Sequence, residues 1–161
     1  PKDNGYFKMN PPLRNKEDQA ALLVGLLDGT IDLIATDHAP HAKKEKQGGM
    51  KDAAFGITGS ETAFSTLYTK FVKEEKVLRL EQLLALFSDK PAKVFGIKNA
   101  GVLEPGKNAY IAIFDIEHKT EIKEADFKSK GVNTPFTGQK VYGETVMTLV
   151  DGEVVYQRGT K

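Results

Sequence analysis

Apolar and polar positions alternate in a way that divides the chain into a helical first part and a strand-rich last part. From Asp18 to Asp28, Ala20, Leu23, Val24 and Leu27 recur at three- and four-residue spacing. Gly29 follows where a left-handed terminating residue is wanted, which predicts a helix. "IDLIAT", residues 31–36, is short, rich in β-branched side chains and nearly apolar apart from Asp32. That is the pattern of a strand covered on both faces, as in a parallel sheet. "TGSE", Thr58 to Glu61, fits a capping box, and the helix behind it carries a stripe of Ala63, Phe64, Leu67, Tyr68, Phe71 and Val72. Leu80, Leu83, Leu84 and Phe87 predict another helix, and a short one capped by Ser88 or Asp89 ends at Gly96.

Beyond residue 96 the pattern changes. Pro105-Gly106 suits a type II turn ahead of a strand over 109–115. Asp151-Gly152 supplies the two positive-φ residues of a type I′ turn between strands at 146–150 and 153–157. Helix-and-strand alternation followed by antiparallel pairs predicts an α/β chain with a boundary near residue 97. Two loops stand out. Pro11-Pro12 removes two backbone donors and pushes Asn10 and Pro11 toward extended conformations. The connection from Asp37 to Gly59 is long for a compact domain and holds two of the chain's 3 histidines.

Composition narrows the function classes. Lys+Arg at 23 against Asp+Glu at 22 gives a net charge of +1, so no global field draws the chain to nucleic acid or an anionic membrane. Lys43, Lys44 and Lys46, interrupted by Glu45, read as a solvated loop. With no cysteine, any metal must be held by oxygen or nitrogen donors. No apolar run approaches the roughly 18 residues of a membrane span, and no signal-peptide layout opens the chain, so a cytoplasmic protein is expected. The first residues, starting at Pro1, look like the middle of something, and a fragment of a longer protein is expected.

Candidate chemistry gathers in "ATDHAPH", residues 35–41. Asp37 ends the predicted strand, and in parallel α/β folds the carboxyl ends of the strands open onto the catalytic face. A carboxylate there can bind a divalent metal and take a proton from water. Ala39-Pro40 keeps His38 and His41 out of a helix, so the two rings need not face the same way. On the residues alone a plainer reading stays open: Asp37 caps a turn and His41 bonds a backbone carbonyl. Likewise Asn10 could be a turn residue and Phe55 a packing residue, while Arg14 and His118 read as solvated surface.

"KMNPPLR" at 8–14, "ATDHAPH" at 35–41 and "FGITGSE" at 55–61, in this order and spacing, resemble the C-terminal part of the dihydroorotases of the amidohydrolase superfamily, the bacterial long-chain two-zinc type above all. "GVLEPGKNA" and "VDGEVV" resemble the small β domain beside the barrel of these enzymes. The resemblance implies that residues 1–96 are the C-terminal portion of a (β/α)8 barrel and 97–161 belong to a small β-sandwich domain. It implies a zinc-dependent interconversion of dihydroorotate and N-carbamoyl-aspartate in pyrimidine biosynthesis, by an enzyme expected to be a homo-oligomer when intact. Asp37 resembles the aspartate that contacts zinc and acts as general base, then as acid toward the ring nitrogen. His41 and Asn10 resemble substrate-binding residues, and Phe55 and Gly56 the pair whose backbone faces the ring. His38 has no implied role. The remaining ligands for two zinc ions are expected in sequence ahead of Pro1, so this chain alone is expected to be inactive. Competing expectations are another cyclic-amide hydrolase (an allantoinase or dihydropyrimidinase) and a metal-free relative serving as a scaffold.

Overall fold

The computed structural model describes residues 3–159, which form a mixture of helices and antiparallel strands. Helix α1 (Lys16–Asp28) starts where the Asn15 side chain accepts the Asp18 N–H at 2.8 Å and stops at Gly29, φ +85°. Its predicted apolar stripe is not a core face: Val24 and Leu27 are exposed, and among its residues Gly25 is the buried one. A short helix α2 (Gly49–Asp52) and a 3₁₀ turn (Lys43–Lys46) break up the long loop.

Helix α3 (Ala63–Leu67) widens into a π-helical segment (Tyr68–Glu74). More than four residues per turn rotates the buried face away from the expected stripe. Tyr68 is buried together with the polar pair Ser65 and Thr69, whose hydroxyl donates to the Ser65 carbonyl at 2.7 Å and accepts the Tyr142 N–H at 2.8 Å. In α4 (Leu80–Phe87) the buried leucines are Leu83 and Leu86, while Leu84 is partly exposed. Helix α5 (Asp89–Val94) ends at Gly96 as predicted, although Ser88 directs its hydroxyl to the Gly101 carbonyl rather than capping the helix.

The strand expected at 31–36 does not form. A strand exists only as part of a ladder, and these residues have no ladder partner among those described; the Ile34 N–H donates instead to the Leu86 carbonyl at 3.1 Å. Strand β1 (Ile111–Asp115), short β2 (Thr120–Glu121) and β3 (Lys140–Val141), and the hairpin of β4 (Glu144–Val150) and β5 (Glu153–Gln157) follow. The larger sheet has the order β1-β4-β5, all antiparallel, with Ile111 opposite Leu149. Asp151 and Gly152 turn the hairpin at φ +50° and +84°, as the type I′ expectation requires.

By internal contacts the chain falls into two units, neither continuous. One consists of the chain up to Ala21, Thr36–Phe64 and Glu121–Lys140; the other of Leu22–Ala35, Ser65–Thr120 and the chain from Val141 on. They differ in how they are held together. The second buries Tyr68, Leu78, Leu83, Leu86 and Ala92, an ordinary apolar core. The first buries Lys46, Thr58, Thr62, Asn133 and Thr134, with Ala53 and Ile122 as its buried apolar residues. Its geometry is therefore set mainly by hydrogen bonds.

At the end of β1 in the second unit, the Asp115 carboxylate accepts the N–H groups of His118 and Glu117, with the His118 ring alongside. Those bonds hold its pKa down at about 2. A carboxylate depressed in the fold contributes stability above its ordinary pKa of 3.8 that is lost as pH falls through the folded value. The stability advantage of the native chain over Asp115→Asn should thus be constant above about pH 5 and shrink toward zero near pH 2. Thermal unfolding of both proteins across that range measures it, and a pH-independent gap would contradict the assignment.

Candidate active site

Each candidate residue lies in the first unit. Asp37 follows the apolar run with a left-handed backbone, φ +45°, and is exposed. Asp is among the few residues other than glycine that visit this region routinely. The turn lays the 36–41 segment beside 55–59 in an antiparallel sense. Ala39 N–H donates to the Ile57 carbonyl at 2.9 Å, Gly59 N–H donates to His38 Nδ1 at 3.1 Å, and His41 Nε2 lies 2.9 Å from the Phe55 carbonyl. Gly56 sits in this contact at φ +114°, where a Cβ would stand 2.5 Å from the Ala39 methyl, so only glycine fits.

His41 thus makes the backbone-carbonyl contact that the plainer sequence reading left open. Bonding a carbonyl requires the proton on Nε2. His38, which had no expected role, has a defined one. Its Nδ1 accepts both the Gly59 and Ser60 N–H groups, which places its proton on Nε2, 3.5 Å from the Ser129 hydroxyl. The capping box expected from Thr58 and Glu61 is not formed. His38 takes the two N–H groups that start the turn, Glu61 accepts instead from Lys128 and Ser129 N–H at 2.8 and 3.0 Å, and the Thr58 hydroxyl is buried with no hydrogen-bond partner among the described residues.

The segment carrying Asn10 joins at Lys8. The Lys8 carbonyl accepts the Gly56 N–H at 3.0 Å, and its ammonium lies 4.5 Å from the centre of the Phe55 ring, a cation–π contact on an exposed aromatic. Asn10 is two residues further on and exposed. The three sequence motifs therefore meet at one short stretch of backbone, Phe55-Gly56.

Two residues that sequence reasoning passed over hold that junction. Lys46, expected in a solvated loop, is 3% exposed; its ammonium donates to the carbonyls of Ala54 and Gly56 at 2.7 Å and of Lys8 at 3.2 Å. Burial, and secondarily the neighbouring Lys8 charge, pushes its pKa below the ordinary lysine range. Asn133, 1% exposed, accepts the His41 N–H through Oδ1 at 2.8 Å and donates through Nδ2 to the carbonyls of Ala39 and Gly56 at 3.0 and 3.2 Å. No local pattern announces a residue that acts 92 positions away.

Among the described residues no group of three or more histidines, cysteines or acids converges as a metal ligand set. Asp37 is a single donor, and a zinc site takes about four. The described residues by themselves do not fit a metal.

A model of the Amidohydrolase family matches residues 8–155. The chain belongs to the amidohydrolase family. Among its relatives, proteins named dihydroorotase from Lactobacillus gasseri and Lactobacillus acidophilus are 95% and 86% identical over all 161 residues. This amidohydrolase chain spans 38% of the length of each. Solved structures with the same fold include an L-hydantoinase (dihydropyrimidinase) from Arthrobacter aurescens, at TM-score 0.87 and 35% identity over 97% of this chain and 35% of that one. A D-hydantoinase (dihydropyrimidinase) from Thermus sp. gives TM-score 0.85 and 26% identity over the same shares.

Two substitutions should move stability in opposite directions. Asn133→Ala strands buried partners in two motifs and should cost at least about 2 kcal/mol, whereas Thr58→Val removes a buried hydroxyl with no partner and should leave stability unchanged or raise it by about 1 kcal/mol. Denaturant unfolding reads both, and a destabilised Thr58→Val would show that the hydroxyl is satisfied.

Proposed function

We propose that this chain is part of a dihydroorotase, which reversibly hydrolyses dihydroorotate to N-carbamoyl-aspartate. The observation that carries the reading is the meeting of all three motif segments at Phe55-Gly56, in a chain 95% identical to a protein named dihydroorotase. In this reading residues 1–96 form the C-terminal portion of a (β/α)8 barrel and 97–161 part of a small β domain, in an enzyme that works as a homo-oligomer in the cytoplasm.

Hydrolysis adds water across the ring amide: oxygen bonds to the carbonyl carbon, the C–N bond breaks, and a proton passes to the ring nitrogen. Asp37, exposed and at a left-handed turn after the apolar run, is the residue we assign to that proton. Its carboxylate accepts it from the attacking water and delivers it to the departing nitrogen. Asn10, His41 and the Phe55-Gly56 backbone are assigned to substrate binding, with amide and peptide groups suited to the edges of a planar ring. Zinc, expected from the resemblance, would find Asp37 as one ligand, and that single donor does not hold it.

The hydantoinase structures favour a second reading, a hydrolase of hydantoin or dihydropyrimidine rings. Turnover of dihydroorotate, hydantoin and dihydrouracil by the full-length protein discriminates, with dihydroorotate expected to be the preferred substrate. Glycine adopts the backbone of residue 37 without strain, so Asp37→Gly should hold the melting temperature nearly constant while lowering dihydroorotate turnover by about 100-fold or more. A variant as fast as the native enzyme removes Asp37 from the mechanism.

A further inference from the structure

Lys46 is covered, yet none of its partners is an acid. Its three N–H donors meet three carbonyl oxygens, and it takes part in none of the ion pairs among the described residues. A buried ion gives back in contacts roughly what it loses in hydration, so its net contribution to stability is small. What an ammonium supplies and a methyl cannot is direction.

That direction falls on particular peptide planes. The peptide joining Phe55 to Gly56 is tied at both edges, its carbonyl by His41 and its N–H by the Lys8 carbonyl. In the next peptide the Gly56 carbonyl is drawn to Lys46 and Asn133. A trans peptide is planar with its C=O and N–H opposed, so pulling the carbonyl one way presents the Ile57 N–H the other way. No described residue bonds that N–H. The Lys8 carbonyl, two residues from Asn10, is held by the same ammonium.

We propose that Lys46 is a positioning residue for the substrate ring: its ammonium sets the spacing between the Asn10 segment and Phe55-Gly56, and orients the Gly56–Ile57 peptide so that the Ile57 N–H is offered to a ligand carbonyl. The proposal rests on the reading of these segments as ring-binding, and its test separates the two.

In the full-length protein, Lys46→Cys removes the ammonium. The 161 residues contain no other cysteine; with any cysteine elsewhere in the full-length protein replaced by serine, alkylation with 2-bromoethylamine during refolding rebuilds a lysine-length ammonium at position 46. The expected result is a KM for dihydroorotate raised by between 10- and about 100-fold with kcat changed far less, and a return toward the native KM after aminoethylation. Amide exchange at Gly56 should accelerate in the cysteine variant and recover with the ammonium. Lys46→Gln keeps two donors without the charge; its KM should lie between the native and cysteine values. A native KM in the folded cysteine or glutamine variant overturns the proposal, as does a loss confined to kcat. A native protein that opens hydantoin but not dihydroorotate overturns the dihydroorotase reading instead; the proposal then stands or falls on the KM for hydantoin.

Discussion

A cation with no counter-ion, held by three backbone carbonyls, is the constraint on which the candidate site depends. Covering an ammonium costs several kcal/mol of lost hydration, and hydrogen bonds to a charged group return about 1.5–3 kcal/mol each. Three such bonds bring Lys46 close to balance, so its contribution is geometric. It joins segments that have almost no regular secondary structure of their own and would otherwise be fixed only by loop packing. Asn133 completes the arrangement from the other side, and the Gly56 carbonyl receives both.

The contrast between the two units follows from that. Apolar burial is roughly proportional to area and largely indifferent to direction. It serves α4 and α5, where the requirement is that helices stay together. Hydrogen bonds are directional, and a buried group left without one is costly. A unit whose interior is Lys46, Asn133 and a set of threonines therefore tolerates few alternative arrangements, which suits the ligand-facing role proposed for its backbone.

How much of this was legible in the sequence depended on whether the cause was local. The hairpin at Asp151-Gly152, the end of α1 at Gly29 and the end of α5 at Gly96 were readable because backbone conformation at a turn is decided by the residues in it. The grouping of Asn10, Asp37, His41, Phe55 and Gly56 on one unit was anticipated through three spaced motifs. The strand at 31–36 was not obtained, since an apolar β-branched run states a preference and finds no ladder partner among the described residues. The box at Thr58 and Glu61 failed because distant partners take its groups: the Thr58 N–H donates to the Asn133 carbonyl at 3.0 Å, and the Glu61 carboxylate accepts from Lys128 and Ser129. Lys46 looked like one charge in a solvated run; only the three-dimensional course of the loop shows that its neighbours Lys43 and Lys44 face water while it does not.

The left-handed backbone at Asp37 also bears on how an enzyme of the proposed kind could decay. At φ +45° the accepted residues are few: aspartate, asparagine and glycine fit, while branched or bulky side chains are penalised. If Asp37 carries the proton as proposed, a lineage that gave up the chemistry but kept the fold would drift most readily to asparagine or glycine here, and the identity of this one residue would separate a working homologue from a pensioned-off one more sharply than overall similarity does.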